Sequence, residues 1–197
     1  MRRFDRLNAP QIIEDNWEDI GNTYTARRQA NASYRYSWPQ INGKRINHIA
    51  IPILSAQTEG HCSYCDKFPL LRGDESIDHF KPKTDSLHYM DVCKWENLYL
   101  ACKHCQDSKD TSFHDLLLRP DELHYSFQHF FSYNFTAHII EPNPAASDED
   151  QQRAAWTIEI FDFNFPAVKT SRRHAFERYN ATILPHVDDF NYRFLFD

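Results

Sequence analysis

His61-Cys-Ser-Tyr-Cys65, Ser76-Ile-Asp-His-Phe-Lys-Pro-Lys83 and Trp95-Glu-Asn-Leu-Tyr-Leu-Ala-Cys-Lys-His-Cys-Gln-Asp-Ser-Lys109 follow one another in the middle of the chain, and their order decides the fold. Each CxxC turn offers two thiolates on one side of a metal, so Cys62, Cys65, Cys102 and Cys105 supply the four soft ligands that tetrahedral zinc requires. In a cytoplasmic chain such paired turns read as a metal site rather than as disulfides. A shell closed by four cysteines leaves no position for water or substrate, so this zinc is expected to be structural and the chemistry has to come from elsewhere. The 36 residues between Cys65 and Cys102 form a long insertion clamped at both ends. His61 and His104 adjoin the cysteines, but four thiolates already complete the shell.

Within the clamp, Ser76 to Phe80 alternates polar and apolar side chains and is stopped by Pro82, which predicts a short strand. Leu98-Tyr-Leu-Ala101 reads as a second strand leading into Cys102, and the segment from Gln106 through Leu118 reads as a helix ended by Arg119-Pro120. Asp78 and His79 are neighbours on the first strand and point to opposite faces. They can serve one phosphate only where the strand ends and twists, and Pro82 supplies that ending.

Working outward, Ile12, Ile13, Trp17, Ile20 and Tyr24 recur at helical spacing in the N-terminal part. Arg27, Arg28, Arg35, Lys44 and Arg45, interleaved with Tyr34, Tyr36 and Trp38, suit either a solvated helix face or a nucleic-acid path built on charge and stacking. Beyond the core, Glu141 to Gln152 reads as a loose connector, because its prolines and acidic run carry little to bury. Trp156 to Phe161 alternates like a strand, and Pro166 opens a helix through Tyr179. The aromatic run from Tyr125 to Phe135 is read as packing. Cys93 reads as a small buried hydrophobe.

With 41% apolar and 15% aromatic residues, 197 positions are ample for a packed interior. No run approaches the roughly 18 apolar residues of a membrane span and no signal-like apolar region follows the start, so a cytoplasmic protein without membrane contact is expected. The net charge of −6, concentrated in the last third where twelve Asp/Glu face six Lys/Arg, excludes a chain that grips nucleic acid with its whole surface.

Taken together, Cys-Ser-Tyr-Cys, Ile-Asp-His-Phe-Lys-Pro-Lys and the segment from Trp95 to Lys109 resemble the HNH family of ββα-metal nucleases, in the branch braced by four cysteines; the match covers about residues 61 to 112. The resemblance implies an α+β fold with a ββα-metal core (61–120), a helical N-terminal region (1–60) and a mixed α/β, aromatic-rich C-terminal extension (121–197). It implies that Asp78 ligates a catalytic Mg²⁺ or Mn²⁺, that His79 is the general base and that Asn97 orients the loop carrying it. Lys81, Lys83 and Lys109 become candidate phosphate contacts. The sequence departs from the family at Gln106, where His or Asn usually completes the metal shell; a Gln oxygen is a legitimate but neutral ligand, and Asp107 is an alternative.

Scattered positions outside the core resemble the HNH subunits of Septu-type anti-phage systems, some of which accompany retrons. That resemblance implies a nuclease acting on nucleic acid, DNA before RNA, alongside an ABC- or SMC-like ATPase and, in retron systems, a reverse transcriptase with its RNA–DNA product. Two other readings stay open: a zinc-braced adaptor that binds nucleic acid or the ATPase without cutting, and a stand-alone restriction nuclease for modified DNA.

Overall fold

A computed structural model describes residues 1–70 and 73–196. Its centre is an antiparallel ribbon of two strands, β3 (Glu75–His79) and β4 (Leu98–Cys102), in which Glu75 faces Cys102, Asp78 faces Tyr99 and His79 faces Leu98. The two β3–β4 strands follow the alternation read from the sequence.

The ribbon forms a middle layer with a core on each face. Side chains of a strand alternate between faces. Ile77, Leu98 and Leu100 accordingly enter one core, with Ile13, Tyr24, Ile46, Leu54 and Trp95, while Tyr99 and Ala101 enter the other, with Tyr64, Tyr125, Phe127, Phe161 and Phe194. Every residue of β4 is buried as a result. The first core draws on α1 (Gln11–Glu14), α2 (Trp17–Ala30) and α3 (Ile46–Gln57), beside a small hairpin of β1 (Gln40–Ile41) and β2 (Lys44–Arg45). The second core runs from Met1 to Phe194, so the three sequence segments share their interiors.

Between the strands, Ser86–Cys93 coils as a 3-10 helix that lies across α2. Their approach is close enough that a Cβ on Gly21 would sit 2.4 Å from the Met90 carbonyl oxygen, which is why no larger residue is accommodated there. After β4 the chain turns directly into α4 (Lys103–Lys109), which starts three residues before the expected helix. It also ends earlier: Asp110 takes a positive φ of 44°, and Leu116–Leu118 lie outside any helix.

The C-terminal third packs α5 (Phe127–Phe130), the hairpin β5 (Phe131–Asn134) and β6 (Ile139–Pro142), α6 (Asp148–Ile160) and α7 (Pro166–Ala181) onto the second core. Two expectations are corrected here. Trp156–Ile160 is helical rather than extended: Ala154, Thr157 and Ile160 are buried at a spacing of three, which is a helix face, and Phe161 caps its end. The expected connector supplies the start of that helix, because the Ser147 side chain caps it by accepting from the Asp150 N–H and Asp148, Glu149 and Asp150 sit favourably at its positive end. Among the described residues no helix is long and apolar enough to cross a membrane.

Candidate functional site

The two ends of the β3–β4 ribbon carry different chemistry. At the Glu75–Cys102 end the sulfurs of Cys62, Cys65, Cys102 and Cys105 lie within 4.8 Å of one another, all buried and none in a disulfide. Zinc–sulfur bonds of about 2.3 Å place tetrahedral sulfurs roughly 3.8 Å apart, and the Cys65 and Cys102 sulfurs are separated by 3.6 Å. The Cys102 N–H also donates to the Cys62 sulfur at 3.3 Å, as backbone amides do around thiolates. Crowding by the S–H groups of Cys105, Cys62 and Cys65 pulls the Cys102 thiol far down toward the thiolate that a metal needs. The four cysteines are therefore positioned to bind a metal ion, and their donor set fits structural zinc. Among the described residues no other group of three or more His, Cys, Asp or Glu side chains is close enough to share an ion.

The first CxxC turn is held from behind. Buried Arg193 donates to Asp66, Glu59 and Asp188, and its own N–H also reaches the Asp66 carboxylate at 2.6 Å. This clasp ties the C-terminal segment to the turn that follows Cys65, and nothing in the local sequence announces it.

At the opposite end of the ribbon a cleft of about 430 Å³ is lined by Asp78, His79, Lys83, Gln106, Asp107 and Asp110, with Thr84 and Thr111 on its rim. Helix α4 makes this possible. It leaves Cys102, runs roughly 10 Å back along the ribbon, and so hands Gln106 and its neighbours to the strand end that carries Asp78 and His79. The two neighbours of β3 share one cleft at the strand's end, as the Pro82 stop requires.

His79 is only 5% exposed and is fixed on three sides. Its ring stacks on Trp38 at 5.5 Å, meets Tyr36 edge-on at 5.7 Å, and its Nε2 lies 2.9 Å from the Val92 carbonyl. A carbonyl only accepts, so Nε2 carries the proton and Nδ1 keeps its lone pair in the neutral ring. Burial, reinforced by the charges of Lys83 and Lys109 and opposed by the Val92 carbonyl, pulls this imidazole down to about 3. It is neutral throughout the physiological range, with Nδ1 unprotonated and, so far below the ordinary value, a weak base.

Asp78 is 4% exposed, with Oδ2 accepting from the Tyr64 hydroxyl at 2.8 Å. The Lys109 ammonium stands 3.2 Å from that oxygen and 3.5 Å from Oδ1, and also donates to the His79 carbonyl at 2.8 Å. Burial pushes the Asp78 carboxyl up and the Lys109 ammonium down, while their mutual attraction opposes both shifts. Both oxygens of Asp78 are thus engaged, Oδ2 by Tyr64 and Lys109 and Oδ1 by the longer contact from Lys109.

Asn97 closes the frame. Its Oδ1 accepts from the Lys81 N–H at 2.7 Å, and its Nδ2 donates to the carbonyls of Lys81 and Asp91. It pins the chain two residues beyond His79 and touches no part of the cleft, which makes it a positioning residue rather than a catalytic one. The lysines divide. Lys83 lines the cleft, whereas the Lys81 ammonium turns away toward Asp91 at 3.8 Å. The expected phosphate contact from Lys109 is corrected: it is 0% exposed, and its ammonium is spent on Asp78 and the His79 carbonyl.

Tyr64, Asp110 and Thr111 also stand at the site and went unread in the sequence, while Trp38, read there as a possible stacking surface for nucleic acid, packs on His79 instead. Asp110 follows Gln106 by one helical turn, which was a usable signal; Trp38 reaches His79 from another element, which gave none. Gln106 and Asp107 both reach the cleft, although Lys103 holds the Asp107 carboxylate at 2.6 Å. Compared with known families and curated proteins, the chain matches no family model and no curated protein.

Proposed function

We propose that this chain is a metal-dependent HNH-type endonuclease that hydrolyses nucleic-acid phosphodiester bonds. The observation that carries the reading is the aligned imidazole: Nε2–H is committed to the Val92 carbonyl, which leaves neutral Nδ1 as base in a cleft that also holds a carboxylate and a cationic side chain. His79 takes a proton from water through Nδ1, the water oxygen attacks phosphorus, and the bond to the 3′ oxygen breaks. Lys83 draws the phosphate into the cleft by charge, and Asn97 keeps the strand end in register through its hold on Lys81. Asp78 and Gln106 would be the protein donors for Mg²⁺ or Mn²⁺, an ion that commonly completes its shell with water and substrate phosphate oxygens. When bound, it would supply charge neutralisation at the phosphate and the leaving oxygen. In this reading the acidic chain is the effector subunit of an anti-phage complex, with nucleic-acid affinity contributed by a partner ATPase.

A second reading, a non-cutting zinc-braced adaptor, draws support from two particulars: neutral Gln106 at the last metal position, and an ammonium already neutralising Asp78. Plasmid and single-stranded substrates with Mg²⁺ or Mn²⁺, with and without any ATPase found encoded beside it, separate the two. Loss of a general base costs about 10²- to 10⁴-fold in rate, so His79→Ala is expected to abolish detectable nicking that the wild type supports. Equal residual cleavage by both proteins would favour the adaptor.

A further inference from the structure

A second cavity, of about 270 Å³, opens on the far side of the wall that carries His79. Its lining includes Tyr24, Tyr34, Tyr36 and Thr23, together with one cationic and one acidic side chain, Arg27 and Asp19. The tyrosines do not stack flat on one another: Tyr24 meets Tyr36 at 85° and Tyr34 at 50°. Arg27 sits 5.3 Å over the Tyr34 ring and donates to its hydroxyl at 2.6 Å, while Arg28 sits over Tyr89 nearby. A pocket walled by electron-rich tyrosine rings, with the Arg27 guanidinium beside them, suits a planar, electron-poor ring.

Its position gives that chemistry a purpose. The Tyr24 hydroxyl donates to the Lys83 carbonyl at 2.8 Å, and the Lys83 side chain lines the phosphate cleft. Tyr36 stands edge-on to the His79 imidazole at 5.7 Å. The aromatic pocket and the cleft therefore lie on either side of the Tyr36–His79 contact.

We infer that this pocket receives one unpaired base of the same strand whose phosphate lies at His79, so that the substrate is single-stranded or locally unstacked nucleic acid; the inference rests on the nuclease reading for its orientation. A base within a duplex has both faces covered by its neighbours and cannot enter. A base freed from pairing gains a stack worth about 1–3 kcal/mol, independent of its identity.

The test measures binding, with zinc retained and Mg²⁺ and Mn²⁺ omitted so that nothing is cut. Single-stranded DNA and RNA 12-mers carrying 2-aminopurine, and the DNA duplex of the same sequence, are titrated with the wild type, Thr23→Trp and Tyr34→Leu. Thr23 is exposed on α2, so the Trp fills the pocket without entering a core. Tyr34→Leu removes a stacking face instead, which guards against the new Trp acting as a platform. Single strands should bind the wild type more tightly than the duplex and quench the 2-aminopurine, and each variant should weaken them about 5- to 150-fold, matching one lost stack. Comparison of the DNA and RNA arms shows which sugar is preferred. Duplex bound as tightly as single strand, or both variants binding single strands like the wild type, overturns the inference. Pocket-dependent binding without any His79-dependent cleavage would remove the nuclease and leave the base pocket standing, whereas His79-dependent cutting of duplex with no effect of either variant would do the reverse.

Discussion

One ribbon of two five-residue strands carries a metal knot at one end and a polar cleft at the other, and the two ends are held by opposite means. At the knot, four sulfurs and the Arg193 clasp over-determine the geometry. At the cleft, an Asp, a His and a Lys are kept in the interior by a few hydrogen bonds and ring contacts: Tyr64 and Lys109 hold Asp78, the Val92 carbonyl and the Trp38 ring hold His79, and Asp78 with the His79 carbonyl holds Lys109. Buried polar groups are costly unless each is matched. The difference suggests that the knot supplies the rigidity on which the cleft depends, since α4 leaves Cys102 and Cys105 and ends at Lys109.

The largest expected effect breaks the comparison at the knot. Structural zinc binding in small domains is worth roughly 10–16 kcal/mol, which equals or exceeds the net stability of a typical domain, about 5–15 kcal/mol. Metal analysis should therefore find one zinc per chain, and Cys102→Ser or a strong chelator should unfold the ribbon. Hydrogen exchange at the amides of Leu98 to Cys102 reads this directly. If those amides stay protected without metal, the two cores alone organise the ribbon and the cleft does not depend on the knot.

The next effect sharpens the comparison at the cleft. Lys109→Met removes one partner of a buried pair and leaves Asp78 charged without it, a change that costs about 3–5 kcal/mol. Adding Asp78→Asn should return much of that loss, because two neutral side chains no longer leave an unpaired charge. Denaturant unfolding of the single and double variants measures the coupling. A double variant as unstable as Lys109→Met would mean that the lysine acts mainly through the His79 carbonyl.

How far the sequence revealed this plan follows from which signals are local. The cysteine turns, the alternation of Ser76 to Phe80, the stop at Pro82 and the Pro166 start of α7 are properties of a few adjacent residues, and each is realised. Helix α6 was misread because Trp-Thr-Ile-Glu-Ile alternates over its last turns, whereas its governing signals, the Ser147 cap and the burial spacing from Ala154, lie upstream. Lys109 was misread as a surface contact although it follows Cys105 by four residues, on the face already committed to the interior. The Val92 carbonyl, the Trp38 stack and the Arg193–Asp66 pair join residues 13 to 127 positions apart, and no local pattern encodes them.

The smallest effect separates the two ends by acid. His79 has a folded value of about 3 against an ordinary unfolded value of about 6.5. Between those limits the unfolded chain binds the extra proton, so stability falls as pH falls, by about 1.4 kcal/mol per unit, and the full contribution is present only above pH 6.5 or so. Thiolate protonation weakens the knot in the same direction, so the wild-type slope alone does not isolate the cleft. His79→Gln keeps a donor for the Val92 carbonyl but cannot titrate, and it leaves the knot untouched. The difference in slope between the two proteins, measured by denaturant unfolding from pH 7 to pH 5 with saturating zinc, should amount to one proton, or about 2 kcal/mol over the 1.5 units below 6.5. Parallel slopes would show that His79 titrates freely in the folded protein, so that its Nδ1 is open to solvent and the ring is not held neutral by burial.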